Sequence, residues 1–250
     1  MVWTFVTVDD LQDGVLRLGG APARHLGGAL RLRPGETLVA VTPDGFEHVC
    51  TVRSASPTSV EAVVGESRRA AGEPSIEVRV AVGLLKGDQL ERLIEYCSEA
   101  GATSFQPVLA ERSIVRLEGP KLEQRLRRWR EIARSGAELG RRGRVPEVLT
   151  PTDLPQTIAE ATAAGLRPLL LYEGTGLGSL SDTPLERAGC CLLVGPEGGW
   201  SEPEVAAASA AGAEAVTLGP RIMRPLPAAL TALAVVLHRA GQLTLGKEAS

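Results

Sequence analysis

Apolar and polar positions change rhythm once along this chain, near Ser67-Arg68-Arg69-Ala70-Ala71-Gly72-Glu73-Pro74. Before that point they alternate in short runs broken by turns. Glu36 to Val41, the turn Pro43-Asp44-Gly45 and Glu47 to Val52 predict a β-hairpin, and Thr58 to Val64 a further strand. A short helix is expected over Ala23 to Leu30. After the boundary, apolar runs alternate with helical spacing. Ile76 to Val82 predicts a strand, followed by a helix capped by Asp88 with Leu90, Leu93, Ile94 and Cys97 on one face. Phe105 to Leu109, Arg167 to Tyr172 and Cys190 to Val194 read as further strands. A long helix carries the stripe Leu122, Leu126, Trp129, Ala133 and Gly136, and an apolar helix is expected from about Ala228 to Ala240. Strands alternating with helices imply a parallel sheet with helical crossovers. Two domains are therefore expected, a small β-rich one over 1–70 and an α/β one over 73–246.

Two apolar runs of the second part end alike. Leu192-Leu193-Val194 breaks into Gly195-Pro196-Glu197-Gly198-Gly199-Trp200, and Val216-Thr217-Leu218 into Gly219-Pro220-Arg221-Ile222-Met223-Arg224. A buried strand followed by a Gly-Pro turn opens a crevice at its carboxyl end, where open α/β sheets bind ligands. Glycine lets a flat ligand approach the backbone, since no Cβ intervenes. The pair reads as a nucleoside site. Gly174-Thr175-Gly176-Leu177-Gly178 is a poor dinucleotide fingerprint, because Ser181-Asp182-Thr183-Pro184 breaks the helix such a motif must open.

Composition narrows little. The 250 residues are 44% hydrophobic and 23% charged, with a formal net charge of -3. Cys50, Cys97, Cys190 and Cys191 lack metal-ligand or disulfide spacing, so reduced core cysteines and no metal are expected. No secretory leader is read ahead of Trp3-Thr4-Phe5, and no stretch reaches the roughly 20 apolar residues of a membrane span. A cytoplasmic protein without membrane association is the expectation. Charge is locally uneven, however: residues 120–144 hold nine basic side chains against three acidic ones. Such a stripe is either a solvated helix face or a phosphate-binding surface. The Arg141-Arg142-Gly143-Arg144 continuation, read as a flexible basic loop, favours phosphate.

With the two Gly-Pro loops and several shorter words, the chain resembles the RsmE family of 16S rRNA (uracil-N3) methyltransferases, members of the SPOUT superfamily. The shorter words are His25-Leu26 through Glu36, Lys86-Gly87-Asp88, Glu99-Ala100-Gly101-Ala102, Pro107, Glu111-Arg112-Ser113 and Arg144-Val145-Pro146-Glu147-Val148. The resemblance implies a SPOUT-type trefoil-knotted parallel-sheet domain preceded by a small PUA-like β-barrel domain that binds RNA. It implies S-adenosyl-L-methionine as cofactor, held by Leu171, Tyr172 and Glu173, by Gly195, Pro196, Glu197, Gly198 and Gly199, and by Leu218, Gly219, Ile222, Met223 and Arg224. The implied partners are small-subunit rRNA, contacted by Arg31, Arg128, Arg141, Arg142 and Arg144, and a second copy of the chain in a homodimer.

Methylating uracil N3 requires loss of a proton with a pKa of roughly 9–10, or stabilisation of the resulting anion by a cation. Arg112 and Arg224 are the candidate cations, and Glu99 or Glu138 the candidate base; Arg112, Glu138 and Arg224 are taken as the catalytic set. The chain departs from the family pattern at Tyr96, Leu139 and Pro225-Leu226-Pro227, which stand at usually polar positions. Three readings stay open: uridine N3 methylation, the same fold and cofactor with another acceptor, and a catalytically silent RNA-binding homologue.

Overall fold

A computed structural model describes residues 1–113, 118–185 and 189–244. The chain forms two compact units, one of Met1–Glu73 with Ala137–Val145, the other of Pro74–Gly136 with Pro146–Ser250. The return of 137–145 to the first unit has no counterpart in the sequence pattern. A helix runs through the changeover without any turn signal.

The first unit is a six-stranded sheet. Its strands are β1 (Val2–Phe5), β2 (Leu11–Gln12), β3 (Val15–Gly19), β4 (Thr37–Val41), β5 (Phe46–Ala55) and β6 (Ser59–Arg69), in the order β1-β4-β5-β6-β3-β2. The expected hairpin is β4–β5, paired antiparallel with Leu38 opposite Cys50. Strand β1 runs parallel to β4, and β2 and β3 complete the sheet. None of these three was expected from the sequence. The short helix starts earlier than expected, as α1 (Gly20–Ala23), and widens into a π turn over Arg24–Ala29. Gly27 lets this turn lie directly against the Ser56 backbone, since a Cβ there would sit 2.1 Å from the Ser56 carbonyl oxygen. Strand β4 is buried on both faces: Leu38 and Ala40 join one core with Leu16, Leu26 and Val60, while Val39 and Val41 pack with Phe5 and Ala137.

The second unit is a seven-stranded sheet in which every pairing is parallel. In chain order it contains β7 (Glu77–Gly83), α2 (Gln89–Ala100), β8 (Ser104–Val108), α3 (Gly119–Leu139, of which Ala137 to Leu139 belong to the first unit), β9 (Glu147–Val148) and α4 (Leu154–Ala163). There follow β10 (Arg167–Leu171), β11 (Gly178–Ser179), β12 (Gly189–Val194), α5 (Glu202–Ala210), β13 (Glu214–Thr217) and α6 (Pro225–Arg239). Strand order is β11-β13-β10-β12-β7-β8-β9. Side chains alternate across the sheet. Val78, Val80, Cys190, Leu192 and Leu169 face a core shared with Leu93, Trp129 and Leu233. Ala81, Cys191, Leu193 and Leu170 face a second core with Ile158, Trp200 and Ala208. Strand β12 is buried along its whole length, which is why it reads as an unbroken apolar run.

All four cysteines are buried and free, and burial pushes the Cys97, Cys190 and Cys191 thiols up to about 12. Asp88 stands at the start of α2 without making a side-chain cap; its carboxylate lies 3.7 Å from Arg92 instead. Helix α6 begins three residues earlier than expected. Pro225 and Pro227 fall in its first turn, where missing N–H groups leave no intrahelical bond unmade. Two helices escaped the apolar-periodicity reading although both carry start signals. Asp153 accepts from Gln156 N to begin α4, and Ser201 forms a capping box with Glu204 to begin α5.

Candidate methyl-donor site

Strand β10 lies between β13 and β12, and the register levels their ends: Leu171 pairs with Val216, and Leu170 with Leu193. The three loops leaving these carboxyl ends enclose a cavity of about 300 Å³. All twelve residues other than Arg224 expected to hold the cofactor line it, and so does Arg224. Arg221, Thr217, Trp200 and Pro225 line it as well. Arg221 was within the second Gly-Pro segment, but nothing in its spacing set it apart from a surface cation.

The first loop is a tight bend closed by Gly199 N donating to the Pro196 carbonyl at 2.8 Å, with Gly199 at φ +67°. A Cβ on Gly195 would stand 3.2 Å from the Gly199 backbone, tighter than most side-chain contacts, so the bend packs closely around a bare α-carbon. Three groups of hydrogen bonds brace it. Glu197 Oε1 accepts from Lys86 N at 2.9 Å. Arg112 Nη1 donates to the Gly198 carbonyl at 2.8 Å and to that of Trp200 at 3.4 Å. Ser201 Oγ donates to Glu111 Oε2 at 2.5 Å, and Glu111 N donates to Glu204 Oε1 at 2.8 Å. The Glu111-Arg112-Ser113 word thus braces the glycine loop. The side chain of Trp200 belongs to the core.

In the loop after β10 the Tyr172 ring lies against Gly174, where a Cβ would come within 2.8 Å of it. The loop after β13 turns at Gly219, φ +97°, whose N–H donates to Thr217 Oγ1 at 3.1 Å. It leaves Ile222 86% exposed and sets Arg224 at the N-cap of α6, where its carbonyl accepts from Ala228 N. Arg221 and Arg224 are both exposed.

Of the three expected catalytic residues, only Arg224 lines the cavity. Arg112 grips the loop from outside. Glu138 lies in the first unit, where its Oε1 accepts from Phe5 N at 3.2 Å and Thr4 Oγ1 at 3.3 Å. Glu99, on α2, is not a lining residue either; burial, reinforced by the Glu95 carboxylate, raises its carboxyl above the ordinary range. Among the expected RNA contacts, Arg31, Arg141 and Arg144 are exposed, and Arg128 pairs with Glu91 at 3.5 Å. Arg142 corrects the sequence reading. It is 2% exposed and bonded to Glu73 through Nε and Nη2, both at 2.8 Å. Among the described residues, no cluster of three or more His, Cys, Asp or Glu is arranged to hold a metal, and no helix is long and apolar enough to cross a membrane.

An all-parallel α/β domain with bare glycine loops at three adjacent strand ends is a construction for binding a nucleoside-like ligand. Residues 72–237 match the family model described as an RNA methyltransferase domain. The chain is 35% identical to ribosomal RNA small subunit methyltransferase E of Mycobacterium tuberculosis, over all of this chain and 95% of that one. It is 32% identical to the Bacillus subtilis protein of the same name, over 88% of each. Among solved structures it is similar to ribosomal RNA small subunit methyltransferase E from Neisseria gonorrhoeae bound to S-adenosyl methionine. That match has a TM-score of 0.86, 29% identity and coverage of 96% and 98% of the two chains. A Legionella pneumophila putative methyltransferase in complex with SAM matches at TM-score 0.87 and 25% identity, with the same coverage. The chain belongs to the ribosomal RNA small subunit methyltransferase E family of RNA methyltransferases.

Proposed function

We propose that this chain transfers a methyl group from S-adenosylmethionine to N3 of a uridine in small-subunit rRNA, in the cytoplasm. The observation that carries this reading is the cavity at the ends of β10, β12 and β13. It is nucleoside-sized, walled by backbone where Gly195, Gly199 and Gly219 stand, and bordered by two exposed arginines. Leu171, Tyr172, Gly195, Gly199, Leu218 and Met223 hold the donor, and the trefoil knot of the SPOUT fold belongs to the same reading. The donor supplies an electrophilic methyl on a sulfonium, so the chain need only present a nucleophilic nitrogen to it.

Arg224 serves that end. Its backbone is fixed as the α6 N-cap and followed by Pro225, so its guanidinium works from a constrained base. N3 gives up its proton to solvent water at the open mouth of the cavity, and the cation stabilises the negative charge this leaves on the ring. Arg112 and Glu197 position the glycine loop without touching the reacting atoms. Glu138 fastens the end of α3 to β1, and no proton transfer is assigned to it. The target base must leave its stack to reach the cavity. Helix α6 keeps apolar Pro227 and Ala234 exposed, and we assign this face to pairing with a second copy.

Tritiated-methyl transfer to undermethylated 30S particles tests the reading. Wild-type protein should label the 16S rRNA, and Arg224→Ala should lower kcat by about 10²–10³-fold with donor affinity reduced far less. Tight binding of S-adenosylhomocysteine without labelling would point to another acceptor. Absence of donor binding would leave a silent RNA-binding homologue.

A further inference from the structure

Within the first unit, the segment Arg141-Arg142-Gly143-Arg144 is built around one carboxylate. Glu73 accepts from Arg142 Nε and Nη2, both at 2.8 Å, from Gly143 N at 2.9 Å and from Arg144 N at 3.2 Å. Trp3 Nε1 donates to the Arg142 carbonyl at 2.9 Å, and Arg142 N to that of Ala137 at 2.9 Å. There is no slack around these bonds. A Cβ on Gly143 would lie 2.4 Å from Ala70 Cβ, and one on Gly72 would lie 2.7 Å from the Arg141 carbonyl oxygen. The loop expected to be flexible is thus held from four sides.

Pairing with Glu73 removes Arg142 from the surface and cancels its charge. Its two basic neighbours are left outside. Arg141 and Arg144 are exposed, and neither guanidinium has a hydrogen-bond or ion-pair partner among the described residues. Arg141 also has φ +53°, a left-handed backbone that favours glycine and disfavours a long side chain. An arginine held there, against the preference of the backbone, is directed by the locked chain rather than by contacts of its own.

We infer that Arg141 and Arg144 form a preformed clamp for phosphates of the RNA substrate, with the Arg142–Glu73 pair as its mounting post. Guanidinium groups bind phosphate oxygens through two parallel N–H bonds, and a locked backbone reduces the ordering entropy that binding would otherwise require. The inference rests on the proposed reading of an RNA substrate and names the residues that grip its backbone.

The test is fluorescence anisotropy with a fluorescein-labelled RNA hairpin carrying an unpaired uridine, titrated from 0.05 to 0.3 M salt (about a sixfold range). Arg141→Gly and Arg144→Ala should each lower the slope of log K against log[salt] by about 0.7–0.9, and weaken binding about five- to eightfold near 0.1 M salt. Arg141→Gly should melt no lower than wild type, because glycine accepts the left-handed backbone, so lost affinity would not reflect lost fold. Unchanged slope and affinity in both variants would overturn the clamp, as would a lower melting temperature for Arg141→Gly. If the wild-type protein labels 30S particles and binds the hairpin while the variants match it, the clamp alone fails. If the wild-type protein neither labels nor binds, clamp and function fall together.

Discussion

Replacing Gly83 by alanine tests how the glycine loop is seated, without touching the cavity. Gly83 ends β7 and is not a lining residue, yet a Cβ there would stand 2.6 Å from Pro196 Cδ and 2.8 Å from Pro196 N. Ordinary carbon contacts are about 3.5–4.0 Å, so the loop or the strand end must give by roughly 1 Å. The loop has little room to give, being tied through Glu197 to Lys86 and through Gly198 to Arg112. Overpacking of this kind costs about 1–3 kcal/mol, and a domain of this size loses about 2–4 °C of melting temperature per kcal/mol. Part of that strain should appear as a displaced Gly195–Gly199 backbone, which weakens the donor site.

Calorimetry with S-adenosylhomocysteine and thermal melts, run beside Gly178→Ala, supply the assay. Gly178 is in the same unit, has no positive φ, and a Cβ there meets nothing within 4 Å. The Gly83 variant should melt about 2–12 °C lower and bind at least tenfold more weakly, a loss of about 1.4 kcal/mol. The Gly178 variant should match wild type in both. Equal donor affinity in the two variants would refute the claim that contact between β7 and Pro196 sets the geometry of the site.

Arg142→Met should be among the most damaging single changes in the first unit. It leaves the Glu73 carboxylate half-satisfied in a site where its partner is 2% exposed, and chemical denaturation should show a loss of about 3–5 kcal/mol. Alkaline pH should destabilise the protein through its cysteines. The folded thiols of Cys97, Cys190 and Cys191 are raised to about 12, so above the unfolded pKa of about 9 only the unfolded chain releases their protons. Stability is then full below pH 9 and falls as pH rises toward 12, by up to about 1.4 kcal/mol per pH unit for each thiol. Cys97→Ala should flatten the slope of denaturation free energy against pH between 9 and 11 by that amount, and an unchanged slope would refute the assignment.

Much of the fold was legible because its signals are local. Strands β7, β10 and β12 are apolar runs with no competing helical period, and the stripe on α3 is spaced for one buried face. Both Gly-Pro loops announced themselves by composition, since only glycine admits the φ of +67° at Gly199 and +97° at Gly219 without strain. Helix α5 was overlooked because its small, alanine-rich sequence has little amphipathic pattern; its capping box was the available signal.

Partnerships between distant residues lay outside the sequence's reach. Arg112 and Arg142 carry the same side chain, and the sequence neighbours of neither one point to its partner. One grips the carbonyls of Gly198 and Trp200, 86 and 88 positions away, and the other is buried on Glu73, 69 positions away. Sequence alone determined that glycine loops end apolar strands in a parallel α/β domain, because backbone conformation and side-chain burial follow from neighbouring residues. Tertiary structure decided that three strand ends meet level at one cavity and which arginines remain outside to act. Strand register and charge pairing depend on groups that chain folding brings together, whatever their separation in sequence.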